Sequence, residues 1–433
     1  MLSNRFFSSN KGGFMPKQTT KLSARLAPGA LLTMSLAGMP AQADFTKDVE
    51  DALNFYHYGN NGAIKMDLNY RWENVDQDRG PGNPKTANAN TARLRLGLLS
   101  PTFYGFQAYA EYEGLYALQE DYNSTRNRRT QYSVIADPDA SELNQFWLSY
   151  KGIPDTLVKV GRQRIKLDDD RFIGNVGWRQ MEMTYDSILF THKNQTIFGL
   201  TVNAGYIDSA RTIFSTKESM NSPILNVNYK VGDWGNLVGY GYWIDYRDPA
   251  QYANSSQTYG LRFHGKSPKF FDTVNAIYTA EWSNQSDYGE NPNDYQADRI
   301  NLMAGASAYN LTVSGAMEQL NGYGNGKSFR TPLGTNHAFQ GWADLFLTTP
   351  GNGIRDVFAT ASYKMMNDSL IVTGVFHDFK DDTGSIQYGT EWDFSLLKKF
   401  GKHYSLLAKY ANYSADTFGT DTQKIWLQAN VSF

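Results

Sequence analysis

After Asp44 the chain is dominated by one pattern, an alternation of apolar and polar residues in runs of about ten. Ile64, Met66, Leu68, Tyr70 and Trp72 share one parity, and Lys65, Asp67, Asn69, Arg71 and Glu73 share the other. In TARLRLGLLS, Ala92, Leu94, Leu96 and Leu98 alternate with Arg93 and Arg95. In QKIWLQANVSF, Ile425, Leu427, Ala429, Val431 and Phe433 alternate with Lys424, Gln428, Asn430 and Ser432. A period of two places such residues on opposite faces of a strand. The apolar face must therefore meet either a protein core or lipid.

Alternation alone fits a soluble sandwich as well as a membrane barrel. Three further features favour the barrel. The runs exceed the usual soluble strand of about 5–6 residues. Tyr, Trp and Phe flank the apolar stripes, as interfacial girdles require. The links also alternate between short ones, such as Lys151-Gly152-Ile153-Pro154, Tyr309-Asn310 and Met366-Asn367-Asp368, and long ones near 74–90, 118–141, 166–178, 208–221, 248–255, 285–297 and 322–354. Two shorter members of the long set fall near 380–385 and 415–421. The count predicts an all-β, transmembrane antiparallel barrel of about 18 strands, with short periplasmic turns and long extracellular loops. It closes on an aromatic, Phe433, typical of outer-membrane barrels and of the signal read by the barrel-assembly machinery.

The chain has 433 residues and no Cys, which excludes disulfides and thiolate metal sites. No apolar run reaches the ~20 residues of a spanning helix. Residues 1–43 read as a signal peptide: Lys17, Lys21 and Arg25, then LAPGALLTMSLAGM, then Ala41-Gln42-Ala43. Residues 44–433 form the barrel, with a periplasmic lead-in at 44–60 and a long ordered loop at 322–354, where HAFQGWADLF has spacing for a short helix. Five basic and no acidic residues precede Asp44, so 36 Lys and Arg face 43 Asp and Glu after it, a formal −7. Nucleic acid is thus not an expected partner. The expected partners are outer-membrane lipid and lipopolysaccharide, the assembly machinery through Phe433, and a small or polymeric hydrophilic solute.

The motif that stands out is GRQRIKLDDDRFIGNVGWRQ, Gly161 to Gln180, a charged loop between two strand-like runs. With the paired Arg93 and Arg95, and TPLGTNHAFQGWADLFLTTP from Thr331 to Pro350, it resembles the alginate-export family of outer-membrane barrels. That resemblance implies a passive pore with an Arg-rich constriction for anionic sugars. Carried over residue by residue, it points to Arg93, Arg95, Arg162, Arg164, Arg171 and Arg179 as carboxylate-attracting groups, with Asp170, Glu111 and Glu113 positioning them. Arg162 and Arg164 share the parity of Val158 and Val160, so they turn inward only through a bulge at Gly161, and otherwise lie at the rim. Asp67, Glu73, Glu111, Glu113, Glu182, Glu391 and Asp393 also fall on the lumen side, so a mixed-charge eyelet is an equal reading. Arg93 and Arg95 as a structural ladder to the lumen carboxylates is another.

Other chemistries find little footing. Asp168–Asp170 lacks the EF-hand spacing and reads as a solvated acidic loop, with calcium as the alternative. The six His are scattered without HExxH, and GxSxG is absent. No catalytic residue, metal site or cofactor is expected. The expectation is an outer-membrane channel for passive diffusion of hydrophilic, anionic, carbohydrate-type solutes. The alternatives are a general nutrient porin of mixed selectivity and a surface receptor or adhesin barrel.

Overall fold

The computed structural model describes residues 62–78, 84–194, 197, 199–270, 272–324 and 327–433, together with Lys47. The signal-peptide reading of 1–43 and the lead-in at 44–60 lie outside these, Lys47 apart. The strands are β1 (Ala63–Gln77), β2 (Ala87–Leu99), β3 (Phe106–Asp121), β4 (Ala140–Ile153), β5 (Thr156–Gln163), β6 (Thr184–Asn194), β7 (Leu200–Arg211), β8 (Lys217–Val231), β9 (Gly235–Ile244), β10 (Ser256–Lys266), β11 (Asn275–Asp287), β12 (Gln296–Ala308) and β13 (Leu311–Leu320). A small ribbon follows, β14 (Gly322–Gly324) with β15 (Lys327–Ser328), and then β16 (Ile354–Met365), β17 (Leu370–Lys380), β18 (Gln387–Phe400), β19 (Tyr404–Ala415) and β20 (Thr422–Ser432). All but the ribbon belong to one 18-stranded antiparallel sheet. Each strand pairs with its sequence neighbour in that sheet, and β1 also pairs with β20, Arg71 opposite Gln428, so the barrel closes with no free edge.

The two parities of each strand have the fates the alternation implies. Along β1, Leu68 and Tyr70 are exposed while Asn69, Arg71 and Glu73 are buried. Along β2, Leu94, Leu96 and Leu98 are exposed while Thr91 and Arg93 are buried. This is a soluble protein's pattern inverted: apolar side chains outside, polar ones in the lumen. Exposed Phe103, Tyr104 and Tyr309 cluster at the short turns, and exposed Tyr112, Tyr116 and Trp392 stand further up the wall. At one short turn Tyr309 and Asn310 both have positive φ, 46° and 68°, the geometry of a two-residue hairpin that follows the strand twist. At the seam the Phe433 and Met66 backbones exchange hydrogen bonds of 2.8 and 3.0 Å.

Two long loops do not stay outside. The third, residues 164–183, and residues 329–346 of the seventh turn into the lumen and bond to each other. Gly174 N donates to the Leu333 carbonyl at 2.9 Å and Thr335 N to the Asp170 carbonyl at 2.8 Å. Ile165, Leu167 and Ile173 pack on inward Tyr240 and Tyr242, and Phe329, Ala343 and Phe346 pack on Phe379, Tyr413 and Trp426. Each fully buried apolar side chain contributes about 1.5–3 kcal/mol toward holding a loop there. The link expected at 208–221 shrinks to residues 212–216, because β7 and β8 run on past it. The short helix expected in HAFQGWADLF is only a 3₁₀ turn, Asn336–Ala338. Positive φ at Gln340, Gly341 and Asp344 breaks any longer helix.

Candidate functional site

The third loop leaves the wall early because β5 is short, ending at Gln163. Its charged side chains then meet the inward parity of β1–β3. Arg164 lies 2.9 Å from Glu111 and 2.5 Å from Glu182. Arg95 lies 2.5 Å from Glu113 and 3.7 Å from Glu182. Arg93 pairs with Asp67 and donates to the Gln180 carbonyl at 3.2 Å. Arg179 reaches Glu73 at 2.7 Å and Asp137 at 3.8 Å. Arg171 joins the two loops to the far wall, 3.0 Å from Glu318 and 2.9 Å from the Gln340 amide oxygen. Arg95 and Arg164 thus meet Glu111 and Glu113 in the lumen, Arg93 and Arg179 pair beside them with Asp67 and Glu73, and Arg171 pairs on the far wall; together these charges make the lumen girdle.

Glu182 is the node of this girdle. It is fully buried, accepts from Arg164, Asn144 and Asn175, and faces the Arg95 guanidinium at 3.7 Å. Burial alone would raise its carboxyl, but the two guanidiniums and the amides hold it below the usual range. Glu111 is tied as closely, to Tyr109, Asn144 and Gln145 as well as Arg164.

Two candidates sit elsewhere. Arg162 does not turn inward. The register runs unbroken past Gly161, from Val160 opposite Leu148 to Arg162 opposite Phe146, so no bulge reverses the parity. Arg162 stays on the outer side and pairs with Asp186 at 2.9 Å. Gly161 is needed for another reason: its φ is +115°, and a Cβ there would meet the Phe146 carbonyl oxygen at 2.4 Å. Arg164 reaches the lumen only because it lies beyond the end of β5. Asp170 positions no arginine; it holds Lys166 at 2.9 Å. Its neighbours diverge, Asp168 accepting from the Asn226 amide at 2.8 Å and Asp169 facing Arg262 at 2.6 Å. Three carboxylates on three different nitrogen donors do not converge on a cation.

Several lumen groups escaped the sequence reading. Arg299 is fully buried between Glu281, at 3.0 Å, and Glu318, at 2.6 Å. Lys409 on β19 is enclosed by rings, 3.7 Å from the Trp342 centroid and 4.2 Å from that of Trp178, and donates to His337 at 2.6 Å. His337 in turn contacts Asp344 at 2.6 Å and stacks on Trp178. Burial, with help from Lys409, pushes His337 down to about 3, against the pull of Asp344. The imidazole is therefore neutral, its Nδ1–H on Asp344 and its Nε2 accepting from Lys409. The inward parity of Arg299 and Lys409 was the available signal, and no motif drew attention to them.

The closed barrel has counterparts among known proteins. The model of the alginate export family matches residues 63–312, more than half of the chain. The chain belongs to that family. Acinetobacter baumannii OccAB3 is similar in structure at a TM-score of 0.68 and 16% identity, over 86% of this chain and 99% of that one. Pseudomonas aeruginosa OpdQ gives 0.63 and 14%, over 86% and 99%. The Pseudomonas aeruginosa outer membrane protein OpdK gives 0.65 and 12%, over 86% and 98%. No curated protein sequence matches the chain. This family member is an outer-membrane β-barrel channel.

Proposed function

We propose that the barrel conducts small hydrophilic anions of the carbohydrate type by passive diffusion, through a mixed-charge girdle that binds them weakly. The observation that carries this reading is an imbalance between two levels of the lumen. All five lumen arginines, Arg93, Arg95, Arg164, Arg171 and Arg179, have a carboxylate within 4 Å. On the periplasmic side Lys65 and Lys159 lie over the rings of Tyr109 and Trp147, at 5.5 and 4.5 Å, and have no carboxylate partner among the described residues. Uncompensated cations beside aromatic faces favour a solute with a carboxylate and C–H surfaces, such as a uronate. Matched pairs above them leave no deep well to trap it, as conduction requires.

The test is reversal potential under a salt gradient, with liposome swelling in glucuronate and in glucose. Anion preference, and its reduction in Lys65→Gln with Lys159→Gln, is the expected result. The paired arginines favour one competing reading, a nutrient porin of mixed selectivity. Equal swelling rates in the two sugars, unchanged by the lysine substitutions, would establish it.

A further inference from the structure

At the periplasmic ends of β7–β10 the lumen wall carries a row of amides, Asn203, Asn226, Asn228 and Asn236, beside the Arg262–Asp169 pair. A cavity of about 540 Å³ opens there under the Lys166–Asp169 segment of the third loop. That volume suits a small molecule, since such sites span roughly 300–1,000 Å³.

The charges around it are nearly all engaged. Asp168 accepts from Asn226, Asp169 and Glu281 flank Arg262, and Asp170 takes Lys166. Burial raises the Asp168 carboxyl to about 6, against Arg262. Neither aspartate is a free anion offered to a cation. The groups left facing the cavity are the Asn228 and Asn236 amides, the Thr201 hydroxyl, His264 and the Lys230 ammonium. Among the described residues Lys230 has no carboxylate partner.

We propose that this cavity is a binding station for one small polyhydroxylated monocarboxylate of the sugar-acid class, held by the Lys230 ammonium and the Asn228 and Asn236 amides. A single uncompensated lysine matches one carboxylate, not a polyanion. Each amide offers both a donor and an acceptor, as a sugar hydroxyl does, so a row of them pairs with a polyol without stranding either partner. Leu167 is the one apolar side chain in the lining, too little to cover an aromatic carboxylate. The proposal rests on the reading of the lumen as a path for anionic sugars, and it names where such a solute pauses on the periplasmic side.

The experiment is calorimetric titration of the purified full-length barrel in detergent with galacturonate, glucose and benzoate. Lys230→Gln and the double substitution Asn228→Leu with Asn236→Leu are titrated in parallel, each checked for folding by heat-modifiability. Galacturonate binding above both other probes is expected, weakened tenfold or more in Lys230→Gln and lost in the double variant. Benzoate binding best, no binding at tens of millimolar, or folded variants that bind galacturonate as the parent does would each overturn the station. Planar-bilayer conductance separates the two levels of the argument. A conducting barrel without Lys230-dependent binding refutes the station alone, and a folded barrel that binds through Lys230 without conducting refutes the channel path alone.

Discussion

The third loop meets β1–β3 through charge on both sides: Arg164 and Arg179 come from the loop, Arg93 and Arg95 from the wall, and Glu182 joins Arg164 to Arg95. The seventh loop meets β18–β20 mainly through its backbone and through rings, with a single ion pair, Asp344 with Lys424 at 2.9 Å. Ala343 N donates to Glu391 at 2.7 Å, Trp342 N donates to Asp393 at 3.1 Å, and Lys409 lies between Trp178 and Trp342. Gly341 permits that approach, because a Cβ there would meet the Glu391 carboxylate at 2.4 Å. The contrast is between a seam of matched ions and a seam that keeps water off a cation. Matched buried ions are costly to break singly, since the survivor stays buried and unpaired. A caged lysine depends instead on ring faces and on its neighbours' protonation.

Breaking the first seam should have the largest effect. Glu182→Leu leaves Arg95 with Glu113 and Arg164 with Glu111, but removes the carboxylate they share. A loss of about 3 kcal/mol, read as a lower midpoint of folded barrel in urea, is expected, because the Asn144, Asn175 and Arg164 donors lose a charged acceptor while both arginines keep a carboxylate. A midpoint shift under 1 kcal/mol would mean that the girdle is water-filled enough to screen its own charges.

In the second seam, Lys409→Met should cost about 2 kcal/mol, the scale of a desolvated cation–π contact. Its signature is altered emission from Trp178, Trp342 and Trp426 with the barrel still heat-modifiable. Emission identical to the parent's would show that the rings pack without the cation.

Acid sharpens the comparison further. His337 is held near 3, below its ordinary value, so the unfolded chain binds a proton that the folded one does not. Its contribution is complete above about pH 6.5 and falls as pH drops toward 3, by about 1.4 kcal/mol per unit. Stability should therefore decline between pH 6.5 and 5.5 in the parent and decline less in His337→Gln. Parallel pH profiles for the two would remove His337 from the seam's acid response.

The smallest effect belongs to Arg93→Gln. Its partner Asp67 is about a quarter exposed, so the loss should stay near 1 kcal/mol or below. The substitution should still move the reversal potential toward cations, because it frees Asp67 in the lumen. An unchanged potential in a conducting variant would take this pair out of ion selection.

The alternation of residues 64–72 and 424–433 and the alternating link lengths determined the barrel, its strand number and the face each strand side chain takes. A period of two admits only two faces, and a closed sheet turns that choice into lipid or lumen, so this information is local. The sequence also supplied the inward placement of Arg93, Arg95, Glu111 and Glu113. It did not supply partners. Arg164 meets Glu182 because β5 ends at Gln163 and the chain turns inside, and Arg162, two residues earlier, is left outside by an unbroken register. Asp170 was expected to position the lumen arginines and holds Lys166 instead. Arg299, Lys409 and the Asn228–Lys230–Asn236 wall carry no local signature, because their neighbours come from strands and loops far along the chain. Which strand ends early, and which loop turns in rather than out, is decided by burial of Ile173, Phe329 and Phe346 against rings on distant strands. Those contacts exist only once the barrel has closed.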